Sequence, residues 1–128
     1  MSVPTLHESD VEELDIPGRR LRWLVADDRI KAANCSVCVI RVSPGDRVRP
    51  AHSHPEGEEV IYVMTGSGRV LVDGEVSSVR AGSVVLFPQG KPHMLHNTSD
   101  HEMKVVCFFA PATSLANYRI HEDVDFPD

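Results

Sequence analysis

No apolar run in the 128-residue sequence approaches the roughly 18 residues that a membrane-spanning helix needs. Basic residues are also in short supply: 13 Lys and Arg stand against 19 Asp and Glu, for a formal charge of -6. Phosphate binding wants a basic face, so no nucleic-acid partner and no docking on anionic lipid are predicted. Residues 1–20 lack a basic start followed by an apolar stretch, so no secretory signal is predicted. Three cysteines are an odd count and a poor disulfide framework, and a cytoplasmic location is the expectation. Helical periodicity is almost missing, and there is no internal repeat or low-complexity segment. What remains is ordinary for one folded domain: 41% apolar and 25% charged residues. A chain of this length buries a core without disulfides or a structural metal.

Short β-type runs alternate with Gly and Pro punctuation. Candidate strands are Arg20–Ala26, Asn34–Val42, an irregular Arg47–His54, Glu59–Thr65, Arg69–Val72, Glu75–Val79, Ser83–Phe87, His93–Asn97 and Lys104–Phe109. Asp73-Gly74 sits between two of these runs and is a strong hairpin signal, because both turn residues need positive φ. Pro50 marks an edge or a bulge. The pattern predicts an all-β sandwich or small barrel over residues 19–111. Two peripheral arms flank it, 1–18 and 112–128. Ser9-Asp10-Val11-Glu12 has the form of a capping box, but Pro17 cuts any helix short, so the first arm reads as a turn or extended segment. Acidic residues interleave with Val11, Leu14 and Ile16, and with Tyr118 and Ile120, which suits an edge strand added to a neighbouring subunit.

Four residues carry the chemistry. His52 and His54 are two apart on strand-like sequence, which puts both imidazoles on one face. Glu59 is at an odd offset from them, and the break at Pro55-Glu56-Gly57 lets a new strand bring it back to that face. His93 follows the Pro88–Pro92 turn and needs an adjacent strand to join them. Three imidazoles and a carboxylate suit one divalent transition metal ion, Fe, Mn, Ni, Cu or Zn. About two positions of a six-coordinate ion stay open. An H-x-H pair alone also fits two surface histidines.

The scaffold around these residues resembles the cupin superfamily. In the first cupin motif a glycine precedes His-x-His, a glutamate follows three or four residues on, and a second glycine comes six residues later. Gly45, His52, His54, Glu59 and Gly66 follow this order. Glu58 satisfies the shorter gap, but only Glu59 gives the run to Gly66. Gly82, Pro88, Gly90, His93 and Asn97 match the second motif at every position. One departure stands out: six residues separate Gly45 from His52 where the family has five, so a one-residue bulge is expected near Pro50. The resemblance implies an antiparallel jelly-roll β-barrel, a metal held by His52, His54, Glu59 and His93, and a homodimer. It covers dioxygenases, decarboxylases, isomerases, epimerases, lyases and non-catalytic sensors, and fold alone does not choose among them. The expectation is a metal-dependent enzyme acting on a small oxygenated metabolite, with a non-catalytic small-molecule binding module as the alternative.

The other polar and aromatic residues read as structural. Asn97 shares the inward parity of His93 and suits a hydrogen-bonding role, while His96 points outward. His7, His101 and His121 lie in arms or a loop. Cys35 and Cys38 are placed on opposite faces of a strand, and Cys107 stands alone. Glu56 and Glu58 read as solvated loop carboxylates. Tyr62 faces away from Glu59. Trp23, Phe87, Phe108 and Phe109 read as core or dimer contacts, and Ile61, Val63, Val84 or Val85, and Leu95 as the barrel lining.

Overall fold

The computed structural model describes residues 2–127. Eleven strands form two antiparallel sheets that face each other as a jelly roll. The strands are β1 (Leu14–Ile16), β2 (Arg19–Val25), β3 (Ser36–Val42), β4 (His52–Ser53), β5 (Glu58–Thr65), β6 (Ser67–Val72), β7 (Glu75–Arg80), β8 (Val84–Phe87), β9 (His93–Asn97), β10 (Met103–Ala110) and β11 (Arg119–Ile120). One sheet has the order β1-β2-β3-β10-β5-β8 and the other β11-β4-β9-β6-β7. No hydrogen-bonded ladder among the described residues joins the sheets, so the barrel is not closed.

Period-two patterning explains which residues face inward. On β5, Glu59, Ile61 and Val63 are buried while Tyr62 and Met64 are exposed. On β10, Met103, Val105, Cys107 and Phe109 point into the core, and Phe108 points out. Leu95, Val70, Phe87 and Leu21 complete the interior. Val85 packs against this core, whereas Val84 is exposed, which decides between the two. Asp73 and Gly74 both have positive φ and close the β6–β7 hairpin with Val72 opposite Glu75.

The strand expected over Arg47–His54 is broken. Val48 donates to the Leu95 carbonyl and Arg47 bridges His96, but ladder pairing resumes only at His52 opposite His93. The chain runs from Arg47 to His52 while its partner runs only from His96 to His93. Two residues are therefore looped out around the cis Arg49–Pro50 bond, one more than the motif spacing implied.

Both arms fold back on their own chain. The capping box forms two residues earlier than expected: the His7 side chain accepts from Ser9 N, and Asp10 Oδ2 accepts from His7 N at 3.2 Å. Ion pairs fix this segment to the outer face of the first sheet, with Lys104 Nζ 2.7 Å from Glu8 and Arg41 clamping Glu13 through Nε (2.9 Å) and Nη2 (2.6 Å). At the other end, β11 pairs with β4, and Phe126 packs on Ala51, Leu71 and Met94. Arg47 holds Asp125 at 2.7 Å beside it. Each arm strand pairs on its inner side within the chain, β1 with β2 and β11 with β4.

Asn97 is fully buried and ties three segments together. Its Nδ2 donates to the carbonyls of Val42 (2.9 Å) and His101 (2.8 Å), while its Oδ1 accepts from Ser99 N and Oγ. Replacing Asn97 by Ala removes the buried bond to the Val42 carbonyl and three part-buried ones, and Ser99 Oγ and the His101 carbonyl keep each other. The expected cost is about 2 to 3 kcal/mol in denaturant unfolding, with metal content unchanged.

Candidate metal centre

His52, His54, Glu59 and His93 are all buried, and one donor atom from each lies within 4.8 Å of the others. The second sheet supplies His52 on β4 and its direct partner His93 on β9. His54 follows in the turn after β4. Glu59 reaches across from β5 in the first sheet, between Phe109 and Phe87 on its neighbouring strands. Glu58 is exposed, so Glu59 is the carboxylate of the group. The two motif turns hold each other: Gly90 N donates to the His54 carbonyl at 3.0 Å, and Gln89 Nε2 donates to the Pro55 carbonyl at 3.0 Å.

The donor set fits a transition metal. Ligand bonds of about 2.1 Å place opposite ligands about 4.2 Å apart, so the observed spread needs only a small closing movement. His52 Nδ1 lies 3.3 Å from the Pro50 carbonyl, and His93 Nδ1 lies 3.1 Å from the Lys91 carbonyl. Donation to a carbonyl puts the proton on Nδ1 and leaves the Nε2 lone pair for an ion, the usual second partner of a metal-bound imidazole. His54 Nε2 and Glu59 Oε1 are 2.9 Å apart, and His93 Nε2 is 3.2 Å from the same oxygen but outside hydrogen-bond geometry. His54 Nδ1 and His93 Nε2 are buried without a partner. Buried polar atoms of this kind call for a ligand.

Electrostatics favour the ligating protonation states. Burial, with a further push from His93, lowers the His52 pKa to about 3, so the ring is neutral. Burial alone would raise the Glu59 pKa, but the His54 hydrogen bond and the close approach of the His93 ring outweigh it and hold the carboxyl at about 2.

Aromatic rings wall the group. Phe87 stacks on His93 with ring centres 4.0 Å apart, and Phe109 meets His54 edge-on at 5.2 Å. Tyr118 stacks on His52 at 4.6 Å and meets His54 edge-on at 4.4 Å. These contacts are not legible from strand parity. Tyr118 comes from the C-terminal arm, which the sequence reads as an edge strand for a neighbouring subunit rather than as a wall of this group. The cysteines also differ from expectation: Cys38 and Cys107 are both buried and face each other across β3 and β10, and Cys35 precedes the strand. Cys107 lines a cavity of about 30 Å³ with His52, Glu59 and His93. That volume holds one or two water-sized groups. Two outer clefts flank the arm segment around Leu115–Asn117. One, of about 220 Å³, reaches His54 and is bordered by Glu56 and Glu58, and the other, of about 190 Å³, reaches His52.

The remaining histidines lie away from the group. His7 caps the first arm, His101 is exposed, and His121 Nε2 meets Ser53 Oγ at 2.8 Å. His96 faces outward beside Arg69 and Phe126.

A jelly roll with three imidazoles and a carboxylate gathered between its sheets defines a two-sheet β protein with a buried donor group that could hold a metal ion. The cupin-domain family profile matches residues 38–109, more than half of the chain, and the chain belongs to that family. It is 31% identical over 106 residues to the "Polyketide synthase CurC" of Streptomyces cyaneus, covering 80% of this chain and 68% of the relative. It is 32% identical over 107 residues to a "Probable oxalate decarboxylase" of Arthroderma benhamiae, covering 77% of this chain but only 26% of that protein. Among solved structures, the polyketide cyclase RemF from Streptomyces resistomycificus superposes with a TM-score of 0.74 at 24% identity. That match covers 93% of this chain and 85% of RemF.

The lowered His52 pKa has a consequence for the metal-free protein. Below about pH 6.5 the unfolded chain takes up a proton that folded His52 refuses until about pH 3. Chelated wild type should therefore lose stability with falling pH across this window more steeply than His52→Gln does. The extra slope is up to about 1.4 kcal/mol per pH unit, read by denaturant unfolding at a series of pH values.

Proposed function

We propose that the protein is a metal-dependent enzyme acting on a small oxygenated metabolite. The observation that carries this reading is the convergence of four buried donors at a point that two clefts approach. A divalent transition metal bound there supplies a Lewis acid with open positions for two substrate oxygens. Glu59 contributes one negative charge, and the carbonyls of Pro50 and Lys91 orient His52 and His93. Phe87, Phe109 and Tyr118 exclude water from the donor group, which strengthens every electrostatic interaction inside it. The inner cavity is too small for a metabolite, so the substrate's bulk rests in an outer cleft and only its ligating atoms approach the centre. Similarity to a polyketide synthase and to an oxalate decarboxylase supports a substrate with adjacent carbonyl, hydroxyl or carboxylate oxygens.

Purified protein should contain about one equivalent of a transition metal. His54→Ala and Glu59→Gln should each reduce metal content and abolish turnover in an oxygen-uptake and product screen of small carboxylates, diketones and polyketide-like phenols. Turnover that persists in the metal-free variants contradicts the proposal. A tight ligand recovered unchanged after long incubation with loaded protein points instead to a binding module.

The homodimer also belongs to this proposal. Tyr62, Met64, Val84, Leu86 and Phe108 form an exposed apolar stripe on the outer face of β5, β8 and β10. Apolar stripes of this kind mark association surfaces. Leu86→Lys should shift the protein from dimer to monomer in light-scattering measurements. A wild-type monomer contradicts this assignment.

A further inference from the structure

Arg19 is an inward-facing charge that the metal centre does not use. It opens β2 and shares the parity of Leu21 and Trp23, both of which turn toward the core. The hairpin before it leaves little freedom. Gly18 has φ +81°, and a Cβ there would collide with the Arg47 carbonyl. The Arg19 guanidinium is anchored on one side only: Nη1 donates to the carbonyls of Pro17 (3.0 Å) and Arg49 (3.4 Å). Its Nε and Nη2 donate to no protein atom among the described residues. Among the described residues no carboxylate lies within ion-pair distance of it, although Arg22, Arg41, Arg47 and Arg49 each have one.

This half-anchored guanidinium borders the cleft of about 190 Å³ that reaches His52. The other walls are mainly apolar, from Ile16, Pro17, Leu115, Tyr118 and Ile120. Arg49 also lines it, but its charge is matched by Asp46 at 3.3 Å. The cleft therefore combines a hydrophobic body, one uncompensated positive charge and a metal-ligand side chain at its inner end. Burial disfavours the charged form of Arg19, and an anion in the cleft offsets that cost. A guanidinium with a free Nε–Nη2 edge matches a carboxylate through two parallel hydrogen bonds.

We propose that Arg19 recognises the carboxylate of an amphipathic organic acid whose apolar part lies between Tyr118, Leu115 and Ile16. The inference deepens the enzyme reading by assigning the substrate class, and it rests on that reading only for what happens at the metal. Inorganic phosphate is the poorer match, because it leaves the apolar walls without a partner.

The test is calorimetric titration of the isolated protein with benzoate, its neutral isostere benzamide, and inorganic phosphate. Wild type should bind benzoate at least about ten-fold tighter than benzamide, the difference expected of a charge-assisted hydrogen-bond pair. Arg19→Gln should bring the two within about two-fold, and Arg19→Lys, which keeps charge but not the fork, should fall between them. Metal content, measured on the same samples, should not change. No preference for benzoate in wild type overturns the proposal, and this needs no variant. A preference that survives in Arg19→Gln at equal metal content also overturns it, since the metal centre then holds the carboxylate. Phosphate binding as tight as benzoate overturns the assignment to an organic acid. Loss of metal from wild type would defeat the enzyme reading while leaving benzoate recognition measurable.

Discussion

The structure depends on holding one carboxylate and three imidazoles in an apolar interior. A lone carboxylate between two sheets is expensive to desolvate. Glu59 is kept ionised chiefly by the His54 hydrogen bond to its oxygen, with the His93 ring close beside it. Electrostatic contact between the sheets is thus concentrated at these four side chains. The surrounding core of Ile61, Leu95, Val63 and Phe87 supplies the burial that makes those charges matter.

That constraint accounts for features that are otherwise unrelated. The loop around Pro50 aims His52 and puts a carbonyl behind its Nδ1. The Pro88–Gly90 turn hydrogen-bonds the His54 turn, which keeps two motifs distant in sequence in one register. The C-terminal arm returns to lay Tyr118 over His52 and to divide the approach into two clefts. Outside the site, ion pairs bind the N-terminal segment to the sheet. These partly exposed pairs contribute at most about 1 kcal/mol each, so they place the segment more than they stabilise the fold.

The gathering of the four donor side chains and the two-sheet class were legible because strand parity, Gly-Pro punctuation and motif spacing all act locally. The break at Pro55-Glu56-Gly57 was enough to anticipate that Glu59 returns to the histidine face, and the structure buries it there. The Asp73-Gly74 turn was legible for the same reason. What the sequence concealed is set by tertiary contact. The alternation of Tyr118 and Ile120 suggests an edge strand, but nothing local marks the stacking of Tyr118 on His52. The partnership of Cys38 with Cys107 depends on which strands adjoin, since β3 and β10 are far apart in the chain. The inward parity of Arg19 could have been read from Leu21 and Trp23. A strand taken to start at Arg20, however, hides it. The expected jelly roll is found, but side-chain patterning does not report that its two sheets share no hydrogen-bonded ladder among the described residues.

The most direct measurement is an anomalous-diffraction map of a crystal of the native protein, collected at the absorption edge of whichever transition metal elemental analysis identifies. The account predicts a single strong peak about 2.1 Å from a nitrogen of each of His52, His54 and His93 and from a Glu59 oxygen. A map with no peak among these four side chains, or with the metal bound elsewhere on the chain, would contradict it.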